Sequence, residues 1–322
     1  MSIQNPIDPI YFDTLIREFK SKKSMPDFFS YYLYHITSVV EYDDVQAKKE
    51  VMAFFRKDEI KERLTEIKEH SEKLHSLREL GKKHEFNESS FYITEWNFDF
   101  SCRNFIHDTL FKAPFIIKNA IESIHNIGVL AYWLGSDISA EYSDSDAPLF
   151  GGPGLISRNS IRKPAFFAYQ FLSNLGTRLL SKGEGYIITS KSEDNFSVIL
   201  FNYKYIDNNL RLLDYYWNIT GNLNEYLDDT EKCSFSVEIQ NINSGKYRIR
   251  QHILNSSYGS VYDTWMGLSA IRNLQPHETE WLERTCFPNL LINFLTAKGS
   301  LNIHCELEPN EVRLLEINRI LE

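Results

Sequence analysis

The segment FYITEWNFDF, residues 91–100, contains the residue with the clearest potential for chemistry. A run of aromatic and β-branched residues, which predicts a strand, ends there at a carboxylate, Glu95, and Trp96 and Asn97 follow directly. An ionised carboxylate is costly to bury unless it gains hydrogen bonds or shifts its pKa. Glu95 is therefore either satisfied by Arg103 or by backbone N–H groups, or it takes part in chemistry.

Two neighbouring predicted strands also end in aromatic or acidic residues, which are Tyr32, Tyr34, Trp133 and Asp137. In a barrel of parallel strands the working residues lie at the carboxyl ends of the strands. A carboxylate, an aromatic hydroxyl that can hydrogen-bond to it, and a flat indole on which a sugar ring can stack together indicate a carbohydrate site. Each signal alone is weak, because large aromatic side chains are usually buried for their area.

The elements that must position these residues alternate between helix and strand in the first half of the chain. Helical patterns at residues 7–23, 42–83 and 103–128 each precede a predicted strand, with Pro114 as a kink in the third helix and Gly128 as its stop signal. Three helix-to-strand steps favour a parallel sheet that is covered by helices.

The pattern changes after Gly176. The remaining segments are short, rich in β-forming residues and separated by Asn, Asp, Gly and Ser, which is typical of an antiparallel sandwich. We therefore predict a domain boundary near residue 177, with domains at 1–177 and 178–322.

Composition disfavours one class of partner, nucleic acid. The 322 residues include 44 acidic and 35 basic ones, with a formal net charge of -9 and no long block of Lys or Arg, so we do not expect this chain alone to bind nucleic acid. The first twenty residues do not resemble a secretory signal, and no stretch has the length of a membrane span, so a soluble, cytoplasmic protein is predicted.

Metal and cofactor chemistry is not indicated. The four cysteines have no CxxC spacing and are predicted to be free thiols; they are Cys102, Cys233, Cys286 and Cys305. The histidines are scattered without the spacing of metal ligands, so we expect neither a metal ion nor another cofactor.

Around Tyr34, Glu95 and Trp133 the sequence resembles glycoside hydrolase family 39, the β-xylosidase and α-L-iduronidase family. The family's strand running into Thr-Glu-Trp stands here as YITEWN, which implies that Glu95 is the nucleophile. The next strand of the family ends in a Trp that an acidic turn follows, and AYWLGSDISAE at 131–141 matches this pattern. Its Gly-Gly-x-Gly-Leu loop, which leads to Lys-Pro-Ala and an aromatic helix, is matched by LFGGPGLISRNSIRKPAFFAYQFLSNLG at 149–176. The tail HCELEPNEVRLLEI at 304–317 is similar to the family's sandwich, so the resemblance covers nearly the whole chain.

The resemblance implies an α/β fold, a partial (β/α)8 TIM barrel of about strands six to eight followed by an antiparallel β-sandwich. It also implies retaining hydrolysis of a β-xyloside or a related pyranoside, in which Tyr34 orients Glu95 and Trp133 forms the floor of the sugar subsite. The residues expected to contact substrate are Tyr32, Tyr34, Asn97, Trp133, Asp137 and Glu141.

Two departures from the family pattern stand out. Tyr32 occupies the place of a His two residues before the Tyr, and the Asn-Glu-Pro whose Glu is the acid/base occurs nowhere in the sequence. Counting strands back from Glu95 makes residues 26–34 strand six, so we expect a truncated barrel that begins in the helix before it. A strand six exposed as an edge would favour self-association or pairing with a partner chain.

Two functions stay open from the sequence. The first is a glycosidase, active once it is completed by the missing half of the barrel. The second is a carbohydrate-sensing module that binds sugar without cleaving it, because a variant of the same module is fused to AraC-type transcription regulators and this sequence is similar to it as well. An acidic chain fits either function, provided that another segment reads the DNA.

Overall fold

The computed structural model describes residues 2–3, 9–34, 75, 79–85, 91–98, 104–139, 147–206 and 223–320. The chain divides into two compact units, one of Met1–Ser101 with Glu122–Trp133 and one of Cys102–Ile121 with Leu134–Glu322. The helix predicted over residues 42–83 lies outside the described residues, apart from helical residues at 75 and 79–83. The domain boundary near residue 177 stays a prediction.

The first unit contains a parallel sheet of four strands, which are β1 (Ser2–Ile3), β2 (Phe29–Tyr34), β3 (Phe91–Asn97) and β4 (Val129–Tyr132). The strands lie side by side in chain order. The pairing of β1 with Ser30 and Tyr31 was not predicted. It corrects the expectation that the helix before β2 is the first element, while the exposed barrel edge stays a prediction.

Helix α1 (Pro9–Ser21) connects β1 to β2 and covers one face of this sheet. Pro9 is its first residue, where the missing N–H is tolerated best. The fully buried ring of Phe12 lies 5.0 Å from the ring of Phe29 and 6.1 Å from that of Phe91. Burial of these aromatic rings anchors α1 to β2 and β3.

Alternation along β2 separates its two faces. Phe29, Tyr31 and Leu33 are buried on the side of α1, whereas Tyr32 and Tyr34 point to the other side. We call the side of the sheet packed on α1 the α1 face and the opposite side the site face, defined by Tyr32 and Tyr34.

The second unit contains two antiparallel sheets. Their strands are β5 (Arg178–Gly183), β6 (Tyr186–Ser192), β7 (Asn195–Phe201), β8 (Cys233–Gln240), β9 (Gly245–Leu254), β10 (Asn289–Ala297), β11 (Ser300–Leu307) and β12 (Val312–Arg319). Six strands follow the order β10-β9-β12-β7-β6-β5, and β11 pairs with β8. Residues of both sheets share one buried apolar cluster, for example Leu200 and Ile249 with Ile303. This is the predicted antiparallel sandwich.

The helices that lie wholly or mostly in the second unit are α2 (Lys112–Ser123, which belongs to this unit up to Ile121), α3 (Pro164–Ser173), α4 (Val261–Gly267) and α5 (Pro276–Thr285). The sequence analysis missed α4 and α5, which interrupt the chain between β9 and β10. It also began the third helix too early. A 3-10 turn over Phe105–Asp108 precedes α2, so Pro114 lies in the first turn of α2 and is not a kink.

No helix in the described part of the chain is both long and apolar enough to span a membrane. No group of three or more His, Cys, Asp and Glu side chains there is arranged to hold a metal ion.

Candidate active site

A register shift in β3 decides which way Glu95 points. Tyr31 of β2 pairs with Ile93, and the next residue, Tyr32, pairs with Glu95, so Thr94 is one extra residue in β3. Successive side chains of a regular strand alternate between faces, which would place Glu95 with Ile93 on the α1 face. The extra residue is a β-bulge that turns Glu95 to the site face.

The pairing on the other side of β3 contains the same irregularity. Ile93 pairs with Leu130 of β4 and Trp96 with Tyr132, so three steps along β3 match two steps along β4. Trp96 is fully buried, and its ring lies 5.7 Å from that of Tyr132 in an edge-to-face arrangement. Trp96 thus stays packed in the sheet while Glu95, one residue earlier, faces the site.

Tyr34 contacts both Glu95 and Trp133 on the site face. Its hydroxyl donates a hydrogen bond to Oε1 of Glu95. The ring of Trp133 lies 6.3 Å from the ring of Tyr34, at an interplanar angle of 82°. The structure therefore brings together the carboxylate, the phenol and the indole that the sequence analysis placed on three separate strand ends. A half-buried carboxylate held by an oriented donor has the geometry of a nucleophile.

The side chain of Asn97 is hydrogen-bonded to the backbone of the protein. Its side chain is fully buried, its Nδ2 donates to the carbonyl oxygen of Trp133, and its Oδ1 accepts from the backbone N–H of Phe98 at 2.7 Å. Its predicted contact with substrate stays a prediction. These bonds favour a role within the protein.

The other predicted site residues are distributed differently. Tyr32 is half-buried on the site face and pairs with Glu95 across the two strands. Glu141 and Arg103 lie outside the described residues. Asp137 belongs to the second unit, where it follows β4 in a 3-10 turn and is buried.

A buried ion triad holds Asp137. The Nζ atom of Lys163 lies 2.5 Å from Oδ2 of Asp137 and 2.6 Å from Oδ1 of Asp108, and all three side chains are fully shielded from solvent. Backbone N–H groups of Gly151 and Gly154 donate to Asp108 and Asp137, each at 2.7 Å. The carboxylate of Asp137 is thus engaged within its own loop, which favours an anchoring role over the predicted sugar contact.

The sequence analysis did not detect this triad. A signal for it exists, because Asp108 lies within the apolar segment FIHDTLF and Lys163 stands directly before the apolar helix α3. Charged residues flanked by apolar runs are rarely buried unless they are paired. Their mutual pairing, however, joins positions 55 residues apart and cannot be read from either segment.

The comparison with protein families identifies the family of this chain. A family model described as glycosyl hydrolases family 39 matches residues 13–245, which include Tyr34, Glu95 and Trp133. The chain belongs to glycosyl hydrolases family 39. The family resemblance that the sequence analysis drew from YITEWN and the glycine-rich loop is therefore confirmed.

Curated relatives of this family 39 chain include two β-xylosidases. The one from Geobacillus stearothermophilus is 26% identical over 250 residues, which cover 77% of this chain and 45% of that protein. The one from Caldicellulosiruptor saccharolyticus is 40% identical over 85 residues, which cover 26% of this chain and 17% of that protein. The chain thus spans less than half the length of each of these relatives.

Solved structures confirm the predicted fold class, a partial barrel followed by a sandwich. A monomeric β-xylosidase from Caulobacter crescentus CB15 has a TM-score of 0.77 at 18% identity, covering 100% of this chain and 62% of that one. A family 39 enzyme from Xanthomonas axonopodis pv. citri has a TM-score of 0.74 at 16% identity, covering 99% and 60%. At such identities the likeness concerns the fold alone.

Proposed function

We propose that this chain supplies the nucleophile of a retaining glycosidase of the β-xylosidase type, and that the nucleophile is Glu95. The observation that carries this proposal is the hydrogen bond from Tyr34 to Glu95 on the site face, beside Trp133. Membership of family 39 and the two β-xylosidase relatives support a β-xyloside or a related pyranoside as substrate.

The chemistry of the proposed step follows from this geometry. A carboxylate oxygen of Glu95 attacks the anomeric carbon, the bond to the leaving oxygen breaks, and a covalent glycosyl-enzyme forms that water later hydrolyses. Tyr34 keeps the carboxylate oriented, and the indole of Trp133 offers a flat apolar surface to a sugar ring.

Protonation of the leaving oxygen is not assigned to a residue. Retaining enzymes place a second carboxyl group about 5 Å from the nucleophile to act as the acid and then the base. The 322 residues contain no Asn-Glu-Pro, the motif that carries this group in the family. General acid–base assistance contributes about 100- to 10,000-fold, so a xyloside with a poor leaving group should react very slowly with this chain by itself.

The test uses a substrate that needs no acid. With 2,4-dinitrophenyl β-xyloside, the folded chain should release a burst of dinitrophenolate, because this leaving group departs unprotonated and the glycosyl-enzyme accumulates. Glu95→Gln should abolish the burst. Glu316→Gln is the matched control, since Glu316 is also partly buried and hydrogen-bonded, to His252 at 2.9 Å, but lies in the sandwich. A folded wild-type chain without a burst contradicts the proposal.

One observation favours a second function, binding without cleavage. The absence of Asn-Glu-Pro from the sequence is compatible with a sugar-sensing module such as the one fused to AraC-type regulators. In that case xylose or a xyloside should bind to the folded chain in a calorimetric titration, Trp133→Ala should weaken the binding, and no burst should occur. A burst that depends on Glu95 would exclude this alternative.

A further inference from the structure

We propose that Asn97 is a positioning residue. Its side-chain amide holds the backbone of Trp133, so that the indole packs on Tyr34 and keeps the Tyr34 hydroxyl hydrogen-bonded to Glu95. This inference rests on the proposed function of Glu95. It assigns Asn97 to the support of the site and not to contact with the sugar.

The first argument is the hydrogen bonding where β3 and β4 separate. The N–H of Trp133 donates to the carbonyl oxygen of Trp96 at 3.0 Å, which is the last main-chain rung between these strands. In a regular parallel ladder the N–H of residue 98 would donate to the carbonyl oxygen of Trp133. Here the amide of Asn97 stands between them, accepting from the N–H of Phe98 and donating to the oxygen of Trp133.

The amide therefore acts as a spacer in the ladder. It gives the N–H of Phe98 an acceptor and the carbonyl oxygen of Trp133 a donor at once, and it separates the two strands by the width of one side-chain amide. Both bonds together need a side chain that offers a donor and an acceptor at the same time and is long enough to reach both partners. Because Asn97 is fully buried, a substitution that removes either bond breaks the link between Phe98 and Trp133 where water is poorly placed to replace it.

The second argument connects this spacer to Glu95. β4 ends at Tyr132, so Trp133 has left the regular strand and its carbonyl is held by the Asn97 amide. The indole of Trp133 and the ring of Tyr34 pack edge-to-face, and Tyr34 donates to Glu95. A displacement of about 1 Å in such a chain of contacts can slow a reaction about 100-fold.

Asn97→Asp tests the proposal, because it keeps the shape of the side chain and replaces the donor with an acceptor. At pH 7 the carboxylate cannot donate to Trp133, whereas at about pH 5 a protonated carboxyl group can, since burial raises the pKa of a carboxyl group. The readout is the indole N–H signal of Trp133 in two-dimensional NMR, assigned with Trp133→Phe. We expect it to differ from wild type at pH 7 and to return toward the wild-type position on acidification.

The signals of Trp265 and Trp281 in the second unit serve as internal controls and should not move. Wild type titrated over the same pH range corrects for other groups. The second variant is Asn97→Ser, which is uncharged and too short to span both partners. It should displace the Trp133 signal at every pH. A Trp133 signal that is unchanged in folded Asn97→Asp at pH 7, or unchanged in folded Asn97→Ser, overturns the proposal.

Kinetics separate this proposal from the proposed function. The rate constant of the dinitrophenolate burst should fall about 10- to 100-fold in Asn97→Asp at pH 7, while Glu95→Gln abolishes the burst. If wild type shows no burst, the proposed function fails, and the NMR signal still decides whether Asn97 positions Trp133. If the signal moves while the burst rate stays at the wild-type value, Asn97 has no positioning role in the reaction.

Discussion

Ionisable side chains occur in two very different settings in this protein. Glu95 is half-buried and accepts a hydrogen bond from the Tyr34 hydroxyl on the site face. Asp108 and Asp137 are completely enclosed and share one cation, Lys163. Burial raises the pKa of Asp108 to about 6, although Lys163 acts in the opposite direction. Burial also disfavours the charge of Lys163, but Asp108 and Asp137 outweigh it and raise the pKa of the lysine.

The shift of Asp108 predicts a specific dependence of stability on pH. Its pKa in the folded state lies above the value of about 3.9 in an unfolded chain, so the folded protein binds this proton more tightly. The contribution of Asp108 to the free energy of unfolding is therefore fully present below about pH 4 and lost as the pH rises through about 6. In urea denaturation, the stability of wild type minus that of Asp108→Asn should decrease across this window.

Asp194→Asn is the control with the opposite sign. Burial raises the pKa of Asp194, but hydrogen bonds from Asn243 and Tyr247 and the charge of Arg319 outweigh it, so the pKa is lowered overall. The advantage of wild type over Asp194→Asn should increase as the pH rises from below the folded-state pKa of Asp194 to above the unfolded value of about 3.9. A difference between wild type and Asp108→Asn that stays constant or grows with pH would contradict the assignment.

At the scale of elements, the glycine-rich loop before α3 is shaped by the ion triad. A Cβ atom on Gly154 would lie 2.4 Å from the backbone nitrogen of Asp137, and one on Gly152 would lie 2.5 Å from its side-chain Cγ. Glycine at these positions thus permits the close approach that lets the loop donate to Asp137. The glycines of this loop, which are part of the family resemblance, are thus also required by the close packing of the loop backbone on Asp137.

Gly154→Ala should therefore destabilise the second unit by about 1–3 kcal/mol, because the clash is with backbone and cannot be relieved by a rotamer change. Gly135→Ala is the matched control, since among the described residues no atom outside its chain neighbours lies within 4 Å of its Cβ position. Thermal unfolding followed by circular dichroism gives the comparison. Equal melting temperatures for the two variants would show that the loop can move away from Asp137.

At the scale of the whole molecule, β10 is an exposed apolar edge of the six-stranded sheet. Five of its apolar side chains are between 37% and 52% exposed; they are Leu290, Leu291, Ile292, Phe294 and Leu295. The strand contains no charged residue and no proline, the usual protections of an edge. The self-association predicted for the barrel edge stays a prediction, and β10 is a second surface that favours it.

Ile292→Lys should raise the protein concentration at which association begins, because a lysine on an edge strand opposes pairing with another strand. Light scattering over a concentration series measures this onset. Ile271→Lys makes the same chemical change at a residue that is 45% exposed outside β10 and should have a smaller effect. An equal effect of the two variants would indicate that added charge, and not the edge, governs association.

Local patterns in the sequence were enough to predict much of the fold. The helical spacing of Phe12 and Ile16 identified α1, and both side chains are fully buried. The alternation of apolar residues and the turn residues between them indicated the sandwich strands. The Thr-Glu-Trp motif placed Glu95 at the end of a strand, where β3 contains it. These features depend on neighbours in the chain, so a single sequence records them.

The sequence by itself determined the family, the fold class and the residue types at the candidate site. Tertiary structure decided the face on which Glu95 lies, the partners of Asn97, and the burial of Asp137 with Lys163. The reason is that strand register and ion pairing join residues far apart in the chain, and a shift of one residue in register reverses the direction of every side chain that follows. The extra residue Thr94 shifts the register of β3 by one, and this shift turns Glu95 away from α1 and toward Tyr34.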